Sequence, residues 1–425
     1  MKYVYIILVV VGVMACVPLT QSSTNSDGNP KDLQLIDQTY EPQIRTVQLS
    51  PVGIPMQPAV TALGQWNLLL TFDDLKGDRD NYLAKIIHCN FDWSKSSLQD
   101  LDFLTDYNEF PINNFEPSVN THIPYVHYWY NLPAVKLPGN YVLVVYRSGN
   151  EDDIVLSRRF MVFDNKVTFK REGNLVGPSN MADLNQQINF TINHSNLYIT
   201  NPLLDVHVNM RQNQRWDNMA VDMRPSFIRD IEKELDYRYF DDANMFKAGN
   251  EFRFFDLRSL YSPGRYVNRV NKNVKPFEVY IDRDRSRNGS PYSIYVDQNG
   301  GYTIDNYDYR QLPFTNYAYV NFSLYSPVLK NTDVFVTGAF NSWNMDRESQ
   351  MRYDSAQQSY TARVLLKQGL YDYQYVTKSK TVPPYYFEGT NFQTENFYEV
   401  FVYYRALRPN ADLLVGYVRL EKSTR

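Results

Sequence analysis

Hydrophobic and polar residues alternate in short runs along most of the chain, and the dominant period is two, the mark of strands with one buried face. Trp66–Phe72 and Tyr141–Tyr146 are such runs, with turn clusters at Lys76-Gly77-Asp78 and Pro138-Gly139-Asn140 between them. They predict one β unit over residues 33–165, closing on Arg159–Phe163. A second unit, 166–281, opens with Val167–Phe169 and holds two clean alternations, Ile188–Ile192 and Asp205–Met210, before Phe252–Asp256. Within it, Phe227, Ile228, Ile231 and Leu235 stand at helical spacing and predict a helix face over Ser226–Tyr239, although Tyr237 and Tyr239 alternate. Residues 282–308 read as a connecting ribbon: Ile281–Arg287 interleaves both signs of charge, and Asn299-Gly300 makes a hairpin turn. A third unit, 309–425, takes Tyr317–Leu324, Val334–Val336, Arg363–Leu366, Tyr371–Val376 and Val400–Tyr404 as strands. The expected architecture is all-β, three consecutive sandwiches.

The first residues break the pattern. MKYVYIILVVVGVMACVPLTQSS carries an apolar run from Val4 to Ala15, shorter than the ~18 residues of a spanning helix, which predicts an export signal over residues 1–15. Val13-Met14-Ala15-Cys16 resembles a bacterial lipobox, cut before a cysteine that then carries lipid; an ordinary signal with an incidental cysteine has the same hydropathy. Cys16 is the candidate lipid anchor, and residues 16–32, rich in Ser, Asn and Gly, read as a tether. With Cys89 as the one other cysteine, the mature chain has no intramolecular disulfide framework.

Composition agrees with strands, since 35 tyrosines and 24 phenylalanines favour pleated, half-buried surfaces. A formal charge of −4 and the lack of a basic stripe argue against nucleic acid as a partner. Candidate chemistry is sparse. The five histidines include no metal-binding spacing: His88-Cys89 lacks a second cysteine, and His122 and His127 have no companion ligands. Asp73-Asp74, with Asp78 and Asp80 after the turn, could form a glycosidase-type carboxylate pair or a loose calcium site, but a strand end entering an acidic loop has the same composition. Asp297–Gly300 lacks the glutamate of a calcium loop and reads as a turn. With no Gly-x-Ser-x-Gly elbow, phosphate loop or dinucleotide fingerprint, the chain is expected to be a binding or scaffold component without cofactor or metal, not an enzyme.

In the third unit Val334–Asn344, VFVTGAFNSWN, resembles the opening of the early-set, immunoglobulin-like modules that bind glycogen and starch. That likeness makes all three sandwiches candidates for the immunoglobulin-like class. It also opens an alternative function, an envelope glycan-binding lipoprotein using the third unit with Trp343 as the sugar contact. Tyr371, Tyr373 and Tyr375 share one strand face, where core packing is the simpler role. The simpler reading of the motif is a turn in which Gly338 supplies a backbone angle that a Cβ resists, with Phe340 and Trp343 capping the core.

Along nearly its whole mature length the sequence resembles one family, the plug protein of the bacterial type IX secretion system. The first unit carries the likeness in Tyr40–Val47, including Glu41 and Pro42, in Leu70–Leu75, including Asp73 and Asp74, and in His88-Cys89-Asn90-Phe91-Asp92-Trp93. Ser118–Thr121, Tyr125–Tyr128 and Arg158–Val162 extend it. The second unit has Phe246–Phe255 around Gly249, Asn250 and Glu251. The third has Val336–Asn341 with Gly338, Phe340 and Asn341, then Leu366–Tyr375 with Gln368 and Gly369, then Glu388-Gly389-Thr390 and Thr394-Glu395-Asn396. Tyr404–Asp412 departs from the family's Tyr-Asp pairing, and the lipobox is not carried over from it. The resemblance implies a non-enzymatic gate at the periplasmic side of the outer membrane. Its partner would be a giant outer-membrane β-barrel translocon, whose pore it seals when no substrate passes; membrane contact would come through that partner and through a lipidated Cys16.

Overall fold

The alternating runs do form strands. A computed structural model of the protein describes residues 31–171, 184–240 and 244–422, so the expected signal, Cys16 and the tether up to residue 30 lie outside the described residues. Helix is confined there to the single turns Asp100–Phe103 and Pro202–Asp205 and two 3-10 turns.

In the first unit two sheets pack face to face. One runs Gln38–Thr39, Ile154–Phe163, Gly139–Arg147, Tyr82–Cys89, Phe110–Ile112, with Val60–Ala62 added in parallel to Ile154–Phe163; the other runs Ile44–Pro51, Leu68–Asp74, Val126–Asn131, Asn114–Pro117. Leu70, Phe72, Ile86, Tyr128, Leu143 and Phe160 meet between them. Each such side chain contributes about 1.5–3 kcal/mol by leaving water. Alternation fails over Tyr141–Tyr146, which is buried on both faces. The reason is a third layer: Val142 and Val144 pack with Phe401, Tyr403 and Leu414 from the far end of the chain.

That third layer is the sheet Ala220–Met223, Val206–Gln212, Asn396–Ala406, Ala411–Lys422. Its opposite face, through Tyr398, Val400 and Val402, covers Phe190, Ile192, Leu235 and Tyr237. Those residues belong to a fourth layer, Thr168–Arg171, Phe190–Asn193, Glu234–Tyr237, Phe227–Arg229. Apart from the separate pair Asn185–Gln187 and Met245–Lys247, the remaining strands form one folded sheet around a single core. Its order is Arg253–Asp256, Gly369–Lys378, Asp333–Thr337, Gln350–Asp354, Ser359–Lys367, Tyr317–Tyr325, Glu278–Ile281, Val267–Asn271. Phe255, Phe322, Val336, Tyr371, Tyr373 and Tyr375 are buried inside, so the tyrosine face packs as expected.

Strand pairing runs across the linear boundaries expected at 281 and 309. Asn396–Ala406 pairs antiparallel with Val206–Gln212, Met210 opposite Val400, so the last hairpin joins the sheet of the second unit. Conversely, Arg253–Asp256 pairs with Gly369–Lys378, and Glu278–Ile281 with Tyr317–Tyr325. The expected ribbon supplies strands to the same folded sheet, Asp284–Arg285 and Tyr302–Ile304. Alternation marks a strand but not its partner, and these partners are 40 to 198 positions away, from Asp284 and Leu324 to Val206 and Tyr404.

The expected helix over Ser226–Tyr239 is instead a hairpin, Phe227–Arg229 against Glu234–Tyr237. Phe227 is 64% exposed and Ile231 92%, so their helical spacing is coincidental. The alternating Tyr237 is fully buried, stacked on Phe190. Gly338 also departs from expectation. Its φ of −176° is extended backbone open to any residue, and what excludes a side chain is space: a Cβ would lie 2.7 Å from the Asp372 carbonyl oxygen and 2.8 Å from the Phe340 ring. Ser342 and Trp343 take the left-handed angles, at φ 53° and 62°.

Candidate functional site

Many of the residues singled out in the sequence gather at the three junctions between units. At the junction of the first unit with the folded sheet, Asp73 is the last residue but one of strand Leu68–Asp74 and is fully buried. Its carboxylate accepts hydrogen bonds from Lys367 Nζ and the Tyr317 hydroxyl, each at 2.6 Å, and lies 2.6 Å from His127 Nδ1. Burial opposes ionisation of Asp73, but the charge of Lys367 and the hydrogen bond from His127 outweigh it and hold the carboxyl below its ordinary range. Tyr317 also meets Thr46 Oγ1 at 2.6 Å, and the Lys367 ammonium sits 4.0 Å from the centre of the Tyr125 ring.

Asp74, the next residue, turns to the Tyr82 hydroxyl at 2.7 Å and the Lys76 backbone N–H at 3.0 Å. The two carboxylates therefore serve different neighbours, as successive strand residues must. Gln368 holds the folded-sheet side of the same junction, its Nε2 donating to Asp308 at 2.9 Å and its Oε1 accepting from the Asn316 backbone, and Asn316 Oδ1 reaches across by accepting from the His122 N–H. At Gly369 a Cβ would collide with the Thr303 carbonyl oxygen of the paired strand. Gly369→Ala is expected to cost about 1–3 kcal/mol, read as a lower midpoint in urea.

The first and second units meet along His88–Trp93. Burial lowers the His88 imidazole to about 4, so the ring is neutral, packed on Phe103 and Tyr141. Burial pushes the Cys89 thiol up to about 12, an inert core position. The Phe91 carbonyl accepts from Asn209 Nδ2 at 2.8 Å, its N–H donates to Asp412 at 3.1 Å, and its ring stacks on His207. Trp93 meets Trp216 edge to face at 5.0 Å, with the Arg159 guanidinium over both rings.

Where the second unit meets the folded sheet, Gly249-Asn250-Glu251 faces Glu388-Gly389-Thr390 and Thr394-Glu395-Asn396. Asn250 Nδ2 donates to the Glu388 carbonyl at 3.0 Å, Thr394 Oγ1 to the Gly249 carbonyl at 2.9 Å, and the Glu395 N–H to Glu251 Oε1 at 3.1 Å. Asn396 donates to Gln186 and the Ala248 carbonyl and accepts from Asn213 at 2.7 Å. Beneath lies a buried network that the sequence reading missed. The Glu388 carboxylate accepts from Arg253 Nε at 3.0 Å and Arg287 Nη2 at 2.7 Å, while Asp284 accepts from Arg253 Nη1, Tyr373 and Tyr375, each at 2.7 Å. Charged residues inside an otherwise alternating strand, such as Arg253 in Arg253–Asp256, were the available signal.

The other singled-out residues have local roles. Glu41 pairs with Lys31 at 2.5 Å and with Arg147 at 2.6 Å. Burial opposes its ionisation, yet those two cations bring its carboxyl down to about 2. The Pro42 carbonyl accepts from Arg45 Nε at 2.6 Å, and Arg45 crosses to Glu348 at 2.7 Å. Asn341 Oδ1 accepts the Gly338 N–H at 3.1 Å, closing the turn, while Phe340 packs on the folded sheet's core. Trp343 is half-buried against Phe252, with the Arg215 guanidinium 4.5 Å from its ring centre. Among the described residues no group of three or more His, Cys, Asp or Glu could hold a metal ion, and no helix is long and apolar enough to cross a membrane.

Side chains bonded across each junction complete a multi-domain β protein. Residues 44–164 match the family described as type 9 secretion system plug protein 1st domain, and this match supports the type IX secretion plug family. Beyond that domain, the chain is similar to a crystal structure of a hypothetical protein from Parabacteroides merdae, with a TM-score of 0.85 and 28% identity over 92% of this chain and 100% of that one. No curated protein matches it. A first domain of this kind points to a role in type IX secretion, to the cell envelope and to a structural role.

Proposed function

We propose that the protein is a non-enzymatic plug of the type IX secretion translocon, binding the periplasmic mouth of a giant outer-membrane β-barrel and sealing its pore when no substrate passes. The observation that carries this reading is the match of residues 44–164 to the plug family's first domain. The interlocking supports it physically. A seal over a wide aqueous pore must resist deformation, and here the first unit is joined to the folded sheet by a buried charge-assisted contact, Lys367 to Asp73. The protein would act from the periplasmic side of the outer membrane, held by its partner and by lipid at Cys16. The glycan alternative gains nothing from Trp343, whose ring is engaged by Phe252 and Arg215.

Pull-down of the tagged protein from detergent-solubilised envelopes is expected to recover the barrel, and deletion to admit large antibiotics across the outer membrane. Absence of both effects in cells that still secrete overturns the proposal.

A further inference from the structure

Arg158 lies in strand Ile154–Phe163 in step with Phe160 and Val162, both members of the first unit's core. It is 8% exposed. Its hydrogen bonding among the described residues is one donation, from Nη1 to the Ser157 carbonyl at 2.9 Å, which leaves Nε and Nη2 without an acceptor. Burial disfavours the cation, and Asp37, the acid that most offsets this, is already engaged by the Trp216 indole and the Arg159 backbone N–H. A guanidinium does not shed its charge to escape burial, so the fold retains a cation without a carboxylate partner, its free nitrogens open to the cavities it lines.

Arg158 lines two cavities at the meeting of the three units. The larger, about 400 Å³, is walled by Thr46, Tyr302, Tyr317 and Lys367; the smaller, about 150 Å³, by Trp216 and Gly300. A volume of about 400 Å³ is within the ordinary range of small-ligand sites. The other charges on the larger cavity cancel. Glu41 is held by Lys31 and Arg147, Lys367 by Asp73, and Arg45 by Glu348, while Asp346 and Arg347 stand exposed side by side. One buried positive charge is left over. A monoanion balances it, whereas a phosphate dianion would place surplus negative charge beside Glu41 and Glu348. The planar fork of arginine matches a carboxylate.

We propose that the cavity between the first unit and the folded sheet is a carboxylate-binding site in which Arg158 receives the carboxylate of a free acid or of a peptide C-terminus. Isothermal titration of the purified protein with propionate, N-acetyl-trialanine, its C-terminal amide and inorganic phosphate tests this. Saturable binding of a carboxylate, with no response to the amide, is expected, and the tighter of propionate and peptide identifies the source. Arg158→Met is expected to weaken that binding at least about tenfold. Arg158→Lys keeps charge and stem without the fork; it is expected to weaken binding less, and it carries the test if the Met variant does not fold. No carboxylate binding by the native protein, stronger binding of phosphate, or affinity unchanged in the folded variants overturns the assignment.

Discussion

Lys367→Met lowers the free energy of unfolding by about 3–5 kcal/mol, measured by urea denaturation at neutral pH. The size follows from what remains. Asp73 is fully buried and keeps only Tyr317 and His127 once the ammonium 2.6 Å away is gone. The pair itself is worth much less than this, because both ions were desolvated to make it. Lys367→Met combined with Asp73→Asn is therefore expected to cost less than Lys367→Met alone, a non-additivity that identifies the pair as the cause. pH gives a second check. The folded-state pKa of Asp73 lies below its ordinary value near 3.8, so its contribution is present above that value and is lost as pH falls through the folded value. Lys367→Met removes the main charge that depresses it, so the deficit is largest at neutral pH and narrows in acid. A double variant no better than the single one would mean that Lys367 acts through packing on Tyr125 instead.

The two halves of this contact show what the sequence could reveal. Asp73 stood out because Asp73-Asp74 closes an apolar strand, an unusual place for two carboxylates. Lys367 did not, because beside Gln368-Gly369 it reads as part of a turn, and its partner is 294 residues away. The strands themselves were legible in Leu68–Asp74, with one face buried, and equally in Gly139–Arg147. What the second run did not reveal was that a layer supplied from Phe401 and Tyr403 buries its other face. Local spacing misled at Phe227 and Ile231, which are exposed and belong to a hairpin. The motif stretches of the plug family were visible as words, but their common purpose was not. Gly249–Glu251 and Thr394–Asn396 become one feature only when the last hairpin crosses back to pair with Val206–Gln212.

Glu388 offers the other large effect, at the opposite junction. The loss expected for Glu388→Gln is about 3 kcal/mol at neutral pH, from a carboxyl brought to about 2 from 4.5 at about 1.4 kcal/mol per unit. Burial alone would raise that carboxyl; the Arg253 and Arg287 guanidiniums reverse the direction. Glutamine keeps the shape and can still accept the Tyr375 N–H, which lies 2.9 Å from Oε1, but it leaves buried Arg253 with Asp284 as its one remaining acid. The sign of the pH dependence is fixed by the depressed pKa. The stabilising contribution is complete above 4.5 and disappears as pH falls from 4.5 through about 2, because the native protein must then protonate the same carboxylate that the variant lacks. Urea midpoints of the two proteins are thus expected to differ by a constant amount between pH 7 and 5 and to converge below pH 4. A gap that persists into acid would assign Glu388 a steric role. Convergence shows that charge fastens Arg253 and Arg287 to Glu388 within the folded sheet, and this network would then loosen in acid before the tyrosine core around it.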